Sequence, residues 1–286
     1  MIATAQSLSS LRRQVQAWRG AGERIGFVPT MGNLHPGHYS LVELARQHVD
    51  RVVASVFVNP TQFGPTEDFS RYPRTPEADA AGLVAAGCDL LWLPSVEAMY
   101  PFGPHASVQV RVPGVTGVLE GAHRPGHFDG VATVVARLFL QVQPDVAVFG
   151  LKDYQQLAVI RYLATELSFP VEIIAAPTRR EADGLAMSSR NQYLDPEERL
   201  RAPAIHRELQ RLQGEVGNRV APEAAESAAA QRLRDAGFDV DYVAVRRRDL
   251  QPPSVGDVQL VALIAARLGR TRLIDNLEFE RSDFGR

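Results

Sequence analysis

The chain has 286 residues, 45% of them hydrophobic, enough for one large or two modest domains with a packed core. Its formal net charge of -2 and pI near 6.4, with no long run of one sign, exclude a general electrostatic pull toward nucleic acid or anionic membrane; any anionic ligand must be bound locally. A single cysteine, Cys88, excludes an internal disulfide framework, and the opening MIATAQSLSSLRRQVQAW has neither a secretory apolar core nor an apolar span of about 20 residues, so the expectation is a soluble cytoplasmic protein.

In chain order, RIGFVPT (24–30) predicts a short strand stopped by Pro29, and Tyr39, Val42, Ala45 and Val49 at helical spacing predict the helix after it. RVVASVFVNP (51–60) is β-branched and apolar, the pattern of a strand covered on both faces, and a helix near 76–86 leads to a similar run, CDLLWLP (88–94). This βαβαβ order favours a parallel sheet. SVQVRV (107–112) alternates like a small strand, DGVATVVARLFLQV (129–142) predicts a buried helix, and DVAVFG (145–150) a central strand. DYQQLAVIRYLATEL (153–167) supplies the following helix and VEIIAAP (171–177) one more strand. Past residue 177 come a turn-rich stretch, READGLAMSSRNQYLDP, helices near 196–213 and 221–236, and three strand-like runs, VDYVAVRR, VQLVALIAARLG and TRLIDNLEFE. The fold class is therefore α/β: a Rossmann-like parallel sheet over 1–177, then a smaller α+β domain over 178–286.

Of the 31 basic residues only one is a lysine, Lys152. Ammonium and guanidinium differ in hydration, shape and donor geometry, which marks Lys152 as a candidate for chemistry against the plain alternative of chance survival. In open α/β sheets ligands lie beyond the carboxyl ends of the strands. Four polar segments follow strands or occupy loops: TMGNLHPGH, NPTQFGPTEDF, GLKDYQQ and AMSSRN.

In TMGNLHPGH the glycines let backbone approach a ligand, the helix start is expected to offer unpaired N–H groups, and His35 and His38 can donate to phosphate oxygens. The plain alternative is a turn with one capping histidine. A four-histidine zinc site with His123 and His127 fits poorly, because Pro36-Gly37 and Pro125-Gly126 interrupt both spacings. Gln62 and Gln156 offer amides suited to a polyol or hydroxy acid, or else a loop cap and a solvated helical glutamine. Lys152 opens a helix after a strand and can reach phosphates, while Ser188, Ser189 and Arg190 could close over a triphosphate or simply cap a helix. Asp68, Asp79, Asp153 and Asp183 are acids near these segments, of which magnesium would need only one or two. Cys88 reads as packing.

Taken together, PTMGNLHPGH, SVFVNPTQFG, YPRTPEAD, LEGAHRPGHFDGV, FGLKDYQQL and EADGLAMSSRNQYL closely resemble the pantoate–β-alanine ligase family, in the family's order, over about residues 20 to 280. The HxGH sequence resembles that of nucleotidyltransferases that bind ATP phosphates, and MSSR is similar to the KMSKS-type loop of class I aminoacyl-tRNA synthetases. The resemblance implies that pantoate attacks ATP to form a pantoyl adenylate and pyrophosphate, after which β-alanine displaces AMP. It assigns His35, His38, Lys152, Ser188, Ser189 and Arg190, with Mg²⁺, to neutralising phosphoryl charge, and makes His38 the proton donor. It places Met31, Gly32, Asn33, Leu34, Pro36 and Gly37 around ATP with the two histidines. Gly150, Leu151, Asp153, Arg179 and Met187 join them, the adenine being held by backbone near Arg179. Gln62 and Gln156 match pantoate-holding positions, Gln62 also serving β-alanine, while Asn59, Tyr72, Arg124 and His127 match the pocket. Asp79 lies where some members offer magnesium acids, with a thinner cluster here because Glu77 and Ala78 precede it. Leu151 stands where relatives usually carry glutamate, and Arg179 where an apolar residue is common. A homodimer is implied by the same resemblance.

Two other readings remain at this level. Another HxGH-type adenylyltransferase would give no reason for NPTQFG and KDYQQ. A non-catalytic nucleotide-sensing or RNA-binding module is opposed by the acidic balance and the lack of a basic stripe.

Overall fold

The computed structural model describes residues 2–64 and 69–281. They divide into two compact units, one running to Leu151 and resuming over Gln155–Pro177, the other comprising Lys152–Tyr154 and the residues from Thr178 onward. The stretch around the lone lysine thus groups with the second unit although it precedes it in the chain.

The first unit is built on six strands, β1 (Ala3–Ala5), β2 (Ile25–Thr30), β3 (Arg51–Val56), β4 (Leu90–Trp92), β5 (Val146–Gly150) and β6 (Glu172–Ala176). They lie in the order β1-β4-β3-β2-β5-β6, every pairing parallel. Its helices are α1 (Leu8–Gly20), α2 (Pro36–Arg46), α3 (Pro76–Ala85), α4 (Val96–Met99), α5 (Glu120–His123), α6 (His127–Val142) and α7 (Tyr154–Glu166), the first residue of α7 counting with the second unit. Alternate side chains of each central strand enter opposite cores. Phe27, Val53, Ala147 and Phe149 join Leu11, Val15, Val135 and Leu138 of α1 and α6, whereas Val28, Val52, Ala54 and Val148 join Leu41, Val42 and Leu83 of α2 and α3. Both faces are covered, which is why these strands read as continuous apolar runs. Each large side chain so buried contributes roughly 1.5–3 kcal/mol.

The strand order reverses between β2 and β5, which makes the carboxyl ends of those two strands the crevice of this sheet. β2 pairs with β3 from Ile25 to Thr30 but with β5 only at Gly26 and Phe27. Beyond Phe27 the strands part, so Pro29, with no N–H to give, sits within a central strand without removing a bond to β5. The strand consequently runs through the proline expected to stop it.

One further expectation changes here, and one strand was not foreseen. SVQVRV forms no strand; α6 side chains meet part of its backbone, the Val110 N–H donating to Thr133 Oγ1 at 2.9 Å and Arg137 donating to the Val108 carbonyl. β1, three residues paired to β4, is too short for an alternation signal. Cys88 is buried packing, and burial pushes its thiol up to about 12.

The second unit is an antiparallel sheet of β7 (Asp239–Arg247), β8 (Gln259–Leu268) and β9 (Thr271–Glu280), with α8 (Pro196–Arg201), α9 (Ala204–Gly217) and α10 (Pro222–Asp235). Ile205, Leu209, Leu212 and Val216 of α9 and Ala225, Ala229 and Leu233 of α10 pack on Leu260, Ala262, Ile264, Ala266 and Leu268 of β8. Spacing of 3.6 residues meets spacing of two. The single helix expected over 196–213 breaks at Ala202-Pro203, because a proline ring is not accommodated inside a helix.

His206 of α9 lies beneath this sheet, its Nδ1 3.8 Å from Asp275 Oδ2 and, among the described residues, without a hydrogen-bond partner. Burial, and then Arg180 nearby, hold its imidazolium below the ordinary value, with Asp275 opposing them. A histidine depressed in the folded state binds its proton more readily when unfolded, so it lowers stability as pH falls below about 6.5. Urea midpoints measured from pH 7 to 5 should therefore fall less steeply for His206→Gln than for the parent chain; equal slopes would remove His206 from the acid response.

Candidate active site

The loop after β2 is shaped by two residues with left-handed backbone, Gly32 (φ 89°) and Asn33 (φ 51°). A Cβ at Gly32 would stand 3.0 Å from Val56 Cγ1 and 3.2 Å from Asp79 Oδ2, so glycine is required both for conformation and for space. Asp79, on α3 and only 2% exposed, reaches under this loop. Its Oδ2 accepts the Asn33 N–H at 2.9 Å, and its Oδ1 accepts the Leu34 N–H at 2.8 Å and the Thr75 hydroxyl at 2.9 Å. A concavity of backbone N–H groups that could take an anion already holds the protein's own carboxylate.

α2 then opens with a reciprocal capping box made of two imidazoles. His35 is the N-cap residue and its Nδ1 accepts the Gly37 N–H at 3.1 Å; His38 Nδ1 accepts the His35 N–H at 3.3 Å. Pro36 fills the first helical position, where no N–H is needed. The rings lie 4.0 Å apart between centroids. Because each Nδ1 accepts a backbone proton, each neutral ring must carry its own proton on Nε2. The expectation of unpaired N–H groups here is corrected: those of Asn33 and Leu34 go to Asp79, that of His35 to His38 and that of Gly37 to His35. Capping and phosphate donation are compatible, since they use opposite nitrogens of the same ring.

The loop after β3 places Gln62. Asn59 caps the turn Pro60–Gln62; its Oδ1 accepts from Thr61 Oγ1 at 3.0 Å and from the Tyr100 hydroxyl at 2.7 Å, while its Nδ2 donates to Gln62 Oε1 at 2.9 Å and to the Gly130 carbonyl at 3.2 Å. Gln62 Nε2 donates to Met31 Sδ at 3.2 Å, which brings the loops after β2 and β3 together. The turn rests directly on the α6 backbone: a Cβ at Gly130 would lie 2.4 Å from the Thr61 carbonyl oxygen. His127 Nδ1 lies 2.8 Å from the Gln62 carbonyl oxygen and its Nε2 3.1 Å from Arg124 Nη1. A guanidinium only donates, so Nε2 accepts and Nδ1 carries the proton to Gln62. Arg124 is paired in turn with Glu120 at 3.2 Å. Asn59, Arg124 and His127 thus bear on Gln62, while buried Tyr72 packs edge-on against Phe63.

After β5 the two adjacent glutamines diverge. Gln155 is buried, donates to the Val115 and Val118 carbonyls and accepts the Glu120 N–H, a structural tie. Gln156 is half-buried, and its side chain makes no hydrogen bond to the described residues. Leu151 packs against the apolar core of the first unit, and Gly150 ends β5.

In the second unit Lys152 sits in the short turn Leu151–Asp153, its side chain 19% exposed and its Nζ 4.0 Å from Asp153 Oδ1. Residues 179–187 form a small hairpin: Arg180 and Ala186 bridge, the Met187 N–H donates to the Arg179 carbonyl, and Gly184 turns at φ 92°. Arg179 is exposed; the neighbouring Arg180 pairs with Asp275 at 2.6 Å. Ser188 caps the turn Ser189–Tyr193 by accepting the Arg190 N–H, and Ser189 and Arg190 follow it half-buried. Asp183 pairs with Arg199, which holds its carboxyl below the usual range. Asp68 lies outside the described residues. Among the described residues no three histidine, cysteine or acidic side chains group as metal ligands.

The family model described as pantoate-beta-alanine ligase matches residues 3–278. A pantothenate synthetase of Stenotrophomonas maltophilia strain K279a is 62% identical over 280 residues, covering 98% of this chain and 100% of the relative. One of Xanthomonas oryzae pv. oryzae strain MAFF 311018 is 61% identical with the same coverage. Among solved structures, a pantothenate synthetase from Thermus thermophilus matches with TM-score 0.90 at 49% identity, over 96% of this chain and 99% of that one. A pantoate-beta-alanine ligase from Francisella tularensis, complexed with beta-gamma ATP and beta-alanine, matches with TM-score 0.80 at 31% identity, over 97% of each chain.

Asp79→Ala would leave two loop N–H groups unanswered at about 1–3 kcal/mol each. The unfolding free energy from urea titration should drop by roughly 2–6 kcal/mol on that basis. A loss well under ~1 kcal/mol would mean the loop holds its shape without the carboxylate.

Proposed function

Because the chain belongs to the pantoate–β-alanine ligase family, we propose that it joins (R)-pantoate to β-alanine with cleavage of ATP to AMP and pyrophosphate. The observation that carries the reading is the His35–His38 pair, whose protons lie on Nε2 at the start of α2, beside the carboxyl ends of β2 and β5. The Francisella relative was solved in complex with beta-gamma ATP and beta-alanine.

In the first step a pantoate carboxylate oxygen attacks the α-phosphorus of ATP, and the bond to the bridging oxygen breaks as pyrophosphate leaves with its electron pair. The product is pantoyl adenylate. Negative charge gathers on the departing phosphates, and preoriented donors lower the barrier most there. His35 and His38 supply Nε2–H donors and Lys152 and Arg190 supply cations, with Ser188 and Ser189 adding hydroxyls. The resemblance makes His38 the proton donor, a part its neutral ring fills by directing its Nε2–H as a hydrogen bond at the leaving group without giving the proton up. Residues 31–38, 150–153, Arg179 and 187–190 surround the nucleotide. In the second step the β-alanine nitrogen attacks the acyl carbon, AMP departs, and the nitrogen sheds a proton to leave the amide.

Gln62 and Gln156 hold pantoate. Amides suit its hydroxyls, since they bond without adding charge beside a carboxylate that must stay nucleophilic. Gln62 is held by Asn59, Met31 and His127, so its amide is already oriented. Magnesium belongs with the ATP phosphates, as part of the substrate, rather than on Asp79, whose two oxygens already accept three hydrogen bonds. The family resemblance supports a cytoplasmic homodimer.

Pyrophosphate should appear only when ATP and pantoate are both present, and AMP release should accelerate on adding β-alanine. Pyrophosphate without pantoate would point to a different adenylyl acceptor. His38→Ala and Lys152→Ala should each slow adenylate formation at least about 10²-fold in single-turnover assays. Lys152→Arg tests shape as well as charge, and undiminished turnover would strip the lysine of its role.

A further inference from the structure

Two parts of the proposed machinery that are distant in sequence, the Lys152 turn and the hairpin leading into Met187-Ser188-Ser189-Arg190, are tied to consecutive residues of β9. Asn276 is buried and its Nδ2 donates to the Lys152 carbonyl at 2.8 Å. Asp275, the residue before it, accepts both guanidinium nitrogens of Arg180 at 2.6 and 3.0 Å, and Arg180 donates further to the carbonyls of Gly184 and Asn276. The Asn276 N–H donates to Asp275 Oδ1 at 2.8 Å, which links the two anchors. Two residues further along the strand, Glu278 accepts the Tyr154 hydroxyl at 2.9 Å, a second tie to the segment that contains Lys152.

We propose that Asn276 is a positioning residue for adenylate formation: its side-chain amide fixes the backbone from which the Lys152 ammonium reaches the phosphates. The proposal rests on the ligase reading above. Its physical basis is the length of the lysine side chain, a point charge on a flexible stem whose placement depends on where the stem begins. Displacement of a charge-stabilising group by about 1 Å can slow a reaction on the order of 10²-fold. Arginine cannot inherit this place simply, since a planar fork on a longer arm would meet the phosphates at a different depth.

The single lysine provides the test. Protein grown on lysine carrying ¹³C at Cε gives one side-chain resonance, from Lys152, and ATP should shift it in the parent enzyme. In Asn276→Ala, and in the near-isosteric Asn276→Asp in which oxygen replaces the donor, the ATP-induced shift should shrink. Single-turnover pantoyl-adenylate formation should fall roughly 10- to 100-fold on the scale of a displaced charge, with the KM for β-alanine unchanged. A variant that only loosened the fold would lower the unfolding midpoint yet keep the full shift in its folded fraction, and that result would overturn the proposal. So would an undiminished adenylation rate in Asn276→Asp. If ATP fails to move the resonance in the parent enzyme, the placement of Lys152 against the nucleotide fails first, and Asn276 with it.

Discussion

A buried carboxylate under a glycine loop is the constraint on which the first unit's functional surface depends. Asp79 comes from α3, yet it determines where the chain leaves β2 and where α2 begins, because it accepts the N–H groups of Asn33 and Leu34. An ionised acceptor makes such bonds shorter and stronger than a neutral one. It also occupies the loop's anion-binding concavity, so in the function proposed above the contact to phosphates falls to the next residues along, the two histidines that cap α2. The helix start keeps its favourable dipole while its first N–H groups are turned inward.

Histidine appears here in two opposite states, each dictated by a neighbour. His35 and His38 accept backbone protons on Nδ1 and so carry their own on Nε2; His127 faces a guanidinium on Nε2 and so carries its proton on Nδ1, toward the Gln62 carbonyl. The same ring keeps its proton on the nitrogen away from the backbone in one loop and turns it onto a backbone carbonyl in the other. The distinction follows from which groups can only donate.

Much of the architecture was legible because both faces of β2, β3 and β5 are covered, leaving uninterrupted apolar runs between polar loops. The exceptions share a cause. Pro29 stays inside its strand because β5 has already parted from β2, and SVQVRV, though it alternates, is held by Thr133 and Arg137 instead of by a neighbouring strand. Periodicity reports burial, whereas these outcomes turn on who supplies the backbone partner. The site shows the same limit. His35, His38 and Lys152 stood out by residue type and spacing, but nothing local distinguishes Gln155, which ties down a loop, from Gln156 beside it. Asp79 was visible as an acid without a sign that two backbone protons occupy it. Asn276, within TRLIDNLEFE, carried no signal at all, since its partner carbonyl is 124 residues away.

Chain order and physical grouping disagree over Lys152–Tyr154, which count with the second unit although the linear boundary falls at Pro177. A fragment begun at Thr178 would keep every strand of the β7-β8-β9 sheet and still be incomplete. The Asn276 amide would face solvent instead of a carbonyl, and Glu278 would lose a phenol. Excising this half of the protein, or grafting it onto a relative, therefore calls for a three-residue patch borrowed from upstream, without which the transplanted sheet arrives with its docking groups unmatched.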